Sequence, residues 1–241
     1  MTRINVLFSP VGVDELYFSS KTAAVIDVLR ASSTIVTAVM NGAKEIIPVG
    51  SIEFAVKVSG GMFGGQTLLC GEKNTKKVDG FNLGNSPSEF TSEVIGGKTV
   101  VLYTTNGTKA IVRAKFSTNL IIASFLNISA SAKRLVETGE SLEIICSGRN
   151  NEFSLEDTVC AGKLVSEILK INGDYNLTDS AAAALSLFEM KQKDIPGMMR
   201  NTEHGQILVE NGFEGDIDYC SQIDITDVVP SFKNNSIKEV H

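Results

Sequence analysis

Several common functional signatures are absent from this sequence of 241 residues. It contains no G-x-x-x-x-G-K-[ST] motif, which disfavours a P-loop nucleotidase, and no G-x-S-x-G motif of an α/β-hydrolase nucleophile. Its four cysteines, at positions Cys70, Cys146, Cys160 and Cys220, are widely spaced and form no C-x-x-C pair. We therefore expect small buried thiols in a reducing compartment and no zinc site.

Long apolar runs and basic runs are also missing. No stretch of about 18 apolar residues is present and the N-terminus lacks the apolar core of a signal peptide, so we expect a cytoplasmic protein without a membrane span. The net charge is −6, from 22 basic and 28 acidic residues. This balance argues against nucleic acid as a partner. An acidic protein that binds an anionic substrate must concentrate positive charge locally, through a few arginines or a metal ion.

Apolar runs alternate with helical patterns as far as about residue 170. Runs such as Thr22–Val28, Val100–Leu102 and Leu142–Cys146 are typical of strands buried on both faces of a parallel sheet. The longest helical pattern is Leu155–Leu169. These features predict an α/β fold, a three-layer α/β/α arrangement with a largely parallel or mixed sheet. We expect one domain over residues 1–241, with room for two similar βα subdomains.

Three further segments carry weaker signals. A glycine-rich span predicts a flexible surface loop and comprises Gly60, Gly61, Gly64 and Gly65. Strand patterns become rare after about residue 173, where Ile217–Tyr219 is a candidate short strand. From about residue 231 the chain is polar, and we expect an extended or disordered tail there.

Polar residues follow the predicted strands directly. Ligands of such folds bind at the carboxyl ends of the strands, so we expect these residues to share one edge of the sheet. They are Asp27, Arg30, Glu72, Thr104, Thr105, Asn106, Gly107, Thr108, Arg149, Glu156 and Asp157. Their recurrence at one edge predicts a site for a small anionic substrate.

The loop Thr104–Thr108 has the pattern of a phosphate-binding loop. It follows a buried strand and precedes a helical pattern, so its backbone N–H groups, the helix dipole and its hydroxyls would all favour an anion. Arg30 and Arg149 can each bind a phosphate or sulfonate through two parallel hydrogen bonds. The alternatives are structural, because the loop could be a simple turn and Arg30 a surface ion pair.

The carboxylates Asp27, Glu72, Glu156 and Asp157 are hard oxygen ligands suited to Mg²⁺. Metal, arginine and oriented donors together are what phosphoryl transfer requires. Here too structural alternatives stay open, since Asp27 could cap a loop and the last two acids could suit the positive end of a helix. His204 is interpreted as a structural residue on a helix.

Five segments that contain these residues resemble the 2-phosphosulfolactate phosphatase family of coenzyme M biosynthesis. They are VIDVLRASSTIVTA (Val25–Ala38), GEKNTKKVDGFNLGNSPSEF (Gly71–Phe90), TTNGTKA (Thr104–Ala110), SFLNISA (Ser124–Ala130) and CSGRNNEFSLEDTVCAG (Cys146–Gly162). The resemblance extends over nearly the whole chain, with a weaker match at His204–Cys220. It implies a Mg²⁺-dependent phosphatase that hydrolyses 2-phospho-3-sulfolactate to 3-sulfolactate and phosphate. The family usually has Asp in place of Asn82 and often Ala in place of Ser147, so neither is assigned a role.

The roles expected on this basis are as follows. Asp27, Arg30 and Glu72 are catalytic, the Thr104–Thr108 loop and Arg149 bind substrate, and Mg²⁺ is held by Asp27, Glu72, Glu156 and Asp157. Water could attack phosphorus directly, or Asp27 could first form an aspartyl-phosphate. Other hypotheses are a phosphatase of another small phosphorylated acid, an isomerase or lyase, and a non-catalytic anion-sensing domain. A homo-oligomer, in the form of a dimer, is the expected assembly.

Overall fold

The computed structural model describes residues 2–61 and 66–239, so Gly64 and Gly65 of the predicted glycine-rich loop lie outside the described residues. The strands are β1 (Arg3–Leu7), β2 (Thr22–Ile26), β3 (Glu45–Val49), β4 (Thr67–Lys73), β5 (Lys76–Lys77), β6 (Thr99–Tyr103), β7 (Asn119–Ala123), β8 (Leu142–Cys146), β9 (Asn176–Leu177), β10 (Pro230–Lys233) and β11 (Ser236–Glu239). The helices are α1 (Ala31–Met40), α2 (Ile52–Gly60), α3 (Ser92–Ile95), α4 (Gly107–Arg113), α5 (Ile128–Val136), α6 (Leu155–Ile171), α7 (Asp179–Lys191), α8 (Ile195–Arg200), α9 (Glu203–Glu210) and α10 (Glu214–Cys220). No helix within the described ranges is long and apolar enough to cross a membrane.

Over residues 2–61 and 66–239, the strands form one mixed sheet of 11 strands in the order β5-β4-β6-β3-β11-β10-β7-β2-β8-β1-β9. Two groups within it are parallel, β4-β6-β3 and β7-β2-β8-β1-β9. The antiparallel hairpin of β10 and β11 joins the two groups, because β10 pairs with β7 and β11 pairs with β3. Three antiparallel pairings separate β7 from β3, so the two parallel groups run in opposite directions, and the expectation that their carboxyl ends share one edge of the sheet is wrong.

The sheet is covered by helices on both faces. Successive residues of a strand point to opposite faces, and the neighbours Ala24 and Val25 of β2 accordingly enter two different cores. The core that contains Ala24 includes residues of α5, α6 and α7, whereas the core that contains Val25 includes residues of α1 and α4. This arrangement confirms the predicted three-layer α/β/α fold and explains why the strands read as continuous apolar runs.

The C-terminal region departs from the sequence-based expectation. The expected tail from about residue 231 is wrong, because the hairpin of β10 and β11 is inserted into the middle of the sheet and buries Ile237 completely. Asn234 and Asn235 form its two-residue turn with φ values of 52° and 62°, a conformation that Asn tolerates well. The expected strand at Ile217–Tyr219 is also wrong, since these residues belong to α10.

The four cysteines are free and buried, as the sequence predicted. Burial raises the pKa of the Cys70 and Cys220 thiols to about 12. Thiols with raised pKa values are poor nucleophiles because they stay protonated at neutral pH.

Candidate active site

A cavity of about 290 Å³ opens at the carboxyl ends of β2, β4, β6 and β8. Of the predicted site residues, it brings together Asp27, Arg30, Glu72, Thr104, Thr105, Asn106 and Arg149. These residues come from both parallel groups of the sheet, so the cavity lies where the two groups face each other. Gly107, Thr108, Glu156 and Asp157 lie outside its lining.

Asp27 follows β2 and is only 6% exposed. Its backbone is fixed by Ser32, whose hydroxyl donates to the Asp27 carbonyl at 2.8 Å, and its Oδ1 accepts a hydrogen bond from the Ala31 N–H at 3.3 Å. Burial raises the pKa of Asp27 to about 6; the His204 imidazole opposes this shift and the nearby Glu72 carboxylate adds to it. Asp27 therefore caps a loop, and the pKa of its carboxyl group is also shifted toward neutral pH.

Glu72 holds the threonine loop, which comprises Thr104–Thr108, against the turn that follows β4. Its Oε1 accepts from the Thr105 N–H at 2.6 Å, and its Oε2 accepts from the Thr75 N–H at 2.8 Å and the Thr105 hydroxyl at 3.1 Å. Next to Glu72, the backbone of Gly71 lies close to the backbone of Tyr103. Gly71 has φ +145°, and a Cβ added to it would lie 1.9 Å from the Tyr103 carbonyl oxygen. Only glycine permits this contact.

The threonine loop is largely closed on itself. The Thr108 N–H donates to Thr104 Oγ1 at 2.9 Å, and the Thr104 N–H donates to Thr108 Oγ1 at 2.9 Å. Thr108 is completely buried. Its hydroxyl is thus used within the loop, where the sequence predicted a substrate contact, while Thr104, Thr105 and Asn106 line the cavity.

Gly107 allows the first turn of α4 to approach Asp27. A Cβ at this position would lie 2.5 Å from both Asp27 Oδ2 and the Ala31 Cβ. We expect Gly107→Ala to lower the free energy of unfolding by about 1–3 kcal/mol because of overpacking, and to impair phosphate release by displacing the Asp27 carboxylate. Urea unfolding and a phosphate-release assay measure both effects. Gly50→Ala is the control, since a Cβ there meets nothing within 4 Å; equal stability of the two variants would contradict the prediction.

Arg30 is buried rather than a surface residue, with 3% exposure. It forms an ion pair with Asp216 of α10 at 2.7 Å, donates from NH2 to the Thr75 carbonyl at 2.8 Å, and lies over the Phe213 ring at 4.2 Å. Asp216 also accepts a hydrogen bond from the Ser86 hydroxyl at 2.6 Å. The alternative of a surface ion pair is therefore wrong, because the guanidinium is locked at the cavity wall.

Arg149 is held much more loosely. Its side chain is 29% exposed and lies 3.5 Å from Glu203, which is itself 90% exposed. Its neighbour Asn150 donates its N–H to Asn106 Oδ1 at 3.2 Å, which links this segment to the threonine loop. The two arginines thus belong to separate networks: Arg30 is buried and closely paired, whereas Arg149 is partly exposed and has a long ion pair.

Asp157 lies outside the cavity lining and stabilises the loops that form the site. Its Oδ1 accepts from the Val28 N–H at 2.8 Å and its Oδ2 accepts from the Ser147 hydroxyl at 3.1 Å. Burial and the charges of Asp27 and Glu156 raise the pKa of Asp157 well above its ordinary value. These contacts give Asp157 the role of joining the loops that follow β2 and β8.

Glu156 faces His204 instead of the main cavity. His204 Nδ1 lies 3.6 Å from Glu156 Oε1; burial disfavours ionisation of this carboxyl, but the imidazole outweighs burial and lowers the pKa of Glu156. His204 also lines the main cavity.

Within the described ranges, no group of three or more His, Cys, Asp or Glu side chains could hold a metal ion. Of the four carboxylates expected to hold magnesium, Asp27 and Glu72 line the main cavity, whereas Glu156 and Asp157 do not.

Several cavity residues lay outside the sequence-based set. Asn74, Thr75 and Asn85 line the cavity, and Asp216 anchors Arg30. These positions lie in loops or on a short helix, where no periodic apolar pattern marks them. The only available signal was their presence inside the segments that carry the family resemblance.

The fold and the cavity define an α/β protein with a polar cavity that combines buried carboxylates and a fixed arginine. The model of the 2-phosphosulpholactate phosphatase family matches residues 9–235 of the chain. A relative from Clostridium novyi, described as a probable 2-phosphosulfolactate phosphatase, is 40% identical over 230 residues, which cover 95% of this chain and 97% of the relative. A Thermotoga maritima relative of the same description is 46% identical over 215 residues, covering 89% and 90%.

The chain therefore belongs to the 2-phosphosulfolactate phosphatase family. The names of its relatives describe phosphoric monoester hydrolases. The resemblance inferred from the sequence segments and the expected enzyme class are thereby confirmed.

Proposed function

We propose that this protein is a Mg²⁺-dependent phosphatase that hydrolyses 2-phospho-3-sulfolactate to 3-sulfolactate and phosphate, a reaction of coenzyme M biosynthesis. The observation that carries the proposal is the cavity in which Asp27, Glu72, Arg30 and Thr105 converge. It offers a carboxyl group with a pKa of about 6, a locked guanidinium and a loop of small polar residues. These groups suit a substrate that carries several negative charges.

The carboxylates of the cavity fit a magnesium ion. Asp27 and Glu72 line one cavity, and the Glu72 charge contributes to the raised pKa of Asp27, so a divalent cation here would relieve like-charge repulsion. Magnesium is commonly held by one or two carboxylates, with waters and substrate phosphate oxygens completing its shell. We propose that Asp27 and Glu72 hold it, and that its chemistry is to offset charge on the phosphoryl oxygens. Glu156 and Asp157 are left with structural roles.

Hydrolysis breaks the bond between phosphorus and the C2 oxygen, adds water to phosphorus, and returns one proton from that water to the released hydroxyl. Arg30 is positioned to stabilise the phosphoryl charge because its guanidinium does not need to reorganise. Asp27 lines the cavity with Arg30 and is placed to accept the proton of the attacking water. Arg149 would pair with the sulfonate or carboxylate.

A second route remains open, in which the Asp27 carboxylate attacks phosphorus and an aspartyl-phosphate is then hydrolysed. A single turnover in ¹⁸O-labelled water distinguishes the two routes. Water attack on phosphorus leaves Asp27 unlabelled, whereas hydrolysis of the carboxyl-linked phosphate at its carbonyl carbon places label in the Asp27 peptide. Attack of water on the phosphorus of the same intermediate is detected instead by acid-quench trapping of the phosphorylated peptide.

The phosphatase proposal is tested by phosphate release from 2-phospho-3-sulfolactate and from p-nitrophenyl phosphate, each with Mg²⁺ and with EDTA. We expect release from the first substrate with Mg²⁺ and loss of release in EDTA. Release from the second substrate alone would favour a phosphatase of another small phosphorylated acid. Binding without any release would favour an anion-sensing domain, although two buried acids in one cavity disfavour a simple anion binder.

Assembly and cellular location complete the proposal. We propose a homodimer working in the cytoplasm on a small anionic substrate. Light scattering coupled to size-exclusion chromatography measures the assembly, and a mass equal to one chain of 25.8 kDa would rule out the dimer.

A further inference from the structure

Two buried polar atoms of the main cavity have no hydrogen-bond partner. They are Thr75 Oγ1 and Asn85 Oδ1, and both residues line the cavity. Asn85 is 4% exposed and Thr75 is 9% exposed. Buried polar groups in folded proteins are nearly always paired, and each exception calls for an explanation. A ligand in the cavity would supply the missing partners.

The position of Thr75 gives this explanation independent weight. Asn74 and Thr75 form the two-residue turn between β4 and β5, with φ values of 53° and 70°. Such turns favour Asn followed by Gly, because both residues need positive φ. A β-branched residue at positive φ is a genuine outlier. The turn therefore has a threonine where glycine would be the easier choice, and the threonine brings a hydroxyl to the cavity.

Asn85 is fixed through its backbone, which leaves its carboxamide for another purpose. The Asn85 carbonyl accepts a hydrogen bond from the Thr34 hydroxyl at 2.8 Å. The next residue, Ser86, donates to the Asp216 carboxylate that holds Arg30. Thr75 is linked to the same guanidinium through its carbonyl oxygen. Thr75 and Asn85 therefore line the same cavity as Arg30, and each is linked to it through its own backbone or that of its neighbour.

We propose that Thr75 and Asn85, together with Arg30, form the subsite for the phosphoryl group that reacts; this inference rests on the proposed phosphatase function. The Thr75 hydroxyl can donate to a phosphoryl oxygen, and a half-turn of the Asn85 carboxamide presents its NH₂ group in the place of its oxygen. Donors that face developing charge act best when they are held rigidly. The locked Arg30 network meets this condition, whereas the exposed Arg149 suits the second acidic group of the substrate.

The variants Thr75→Val and Asn85→Leu test the subsite, because each replaces the polar group by an apolar one of similar shape. We expect each to weaken the binding of inorganic phosphate about 10- to 100-fold, measured by calorimetry in the presence of Mg²⁺. Neither should lower stability in urea without ligand, since an unpaired polar group is removed. Thr75→Ser retains the hydroxyl and should bind phosphate as the wild type does.

Ser131→Ala is the matched control, because Ser131 also has a buried hydroxyl without a partner but lies away from the cavity. Its phosphate affinity should equal that of the wild type. The inference would be overturned if the wild type did not bind phosphate, or if both test variants bound it as the wild type does. Equal weakening in the Ser131→Ala control would also overturn it. So would a loss confined to methanesulfonate, which would assign the subsite to the sulfonate. If phosphate affinity falls as expected but the wild type releases no phosphate from 2-phospho-3-sulfolactate, Thr75 and Asn85 form a phosphate-binding subsite and the proposed function fails.

Discussion

Asp27→Asn is expected to reduce phosphate release at least about 10³-fold, because both proposed routes need the Asp27 carboxylate as base or as nucleophile. The amide has the same shape and retains an acceptor for the Ala31 N–H, so the loop after β2 should keep its structure. The wild-type rate should also fall at low pH, because protonation removes the carboxylate that both routes need. The measurement is phosphate release from 2-phospho-3-sulfolactate as a function of pH.

The same substitution should stabilise the fold at high pH. The pKa of Asp27 is raised from 3.8 to about 6 in the folded protein, so the folded state binds this proton more tightly than the unfolded state. Its contribution to stability is complete below about pH 4 and is lost as the pH rises through 6. A shift of this size corresponds to at most about 3 kcal/mol. At pH 8 in EDTA, we expect the free energy of unfolding of Asp27→Asn to exceed that of the wild type by about 1–3 kcal/mol. At pH 4.5 the difference should be smaller.

Glu143→Gln is the matched control for a buried carboxylate outside the cavity. Glu143 is 4% exposed and accepts a hydrogen bond from Lys21 Nζ at 2.9 Å. Removing its charge should lower stability at pH 8 and leave phosphate release unchanged. Wild-type turnover by Asp27→Asn, or a loss of stability at pH 8 as large as that of Glu143→Gln, would remove Asp27 from its proposed role.

The strands and most helices could be predicted because their signals are local. Leu142–Cys146 reads as a strand with four apolar residues and Glu143 because both faces of β8 are covered, and the observed strand has the same bounds. The hairpin of β10 and β11 shows the opposite case. It has few apolar residues. Its position in the middle of the sheet depends on backbone hydrogen bonds, which leave no pattern in the side-chain sequence. Only its Asn234-Asn235 turn could have revealed it.

Some residues of the candidate site could likewise be predicted from the sequence, and others could not. Residues that directly follow strands, such as Asp27 and Thr105, could be predicted as site residues because ligands of α/β folds bind at the carboxyl ends of strands. Their meeting across two oppositely directed groups of strands could not be predicted. Which acids would meet could not be predicted, because Glu156 and Asp157 are adjacent in sequence but neighbouring residues of a helix point in different directions. One faces His204 and the other faces the backbone of Val28. Asp216 could not be found either, since its importance comes entirely from a partner far away in the chain.

Asp216→Asn is expected to have the largest effect on stability. Arg30 and Asp216 form a buried ion pair at 2.7 Å, with side-chain exposures of 2% and 6%. Neutralising one partner leaves a buried, unpaired guanidinium, and breaking such a pair usually costs about 3–5 kcal/mol. Glu203→Gln is the comparison, because its ion pair with Arg149 is exposed and 3.5 Å long and should contribute no more than about 1 kcal/mol. Urea unfolding of both variants measures the difference.

The ion pair should also matter for catalysis, because Asp216 fixes Arg30 without lining the cavity itself. If Arg30 stabilises the phosphoryl charge, a loosened guanidinium should lower kcat more than it raises KM, since the lost interaction belongs to the transition state. Arg30→Lys retains the charge but loses the planar geometry of the guanidinium, and should show the same pattern. If Asp216→Asn unfolds as readily as the wild type, or if its kcat is unchanged at temperatures where it is folded, Asp216 neither stabilises the buried charge nor positions Arg30.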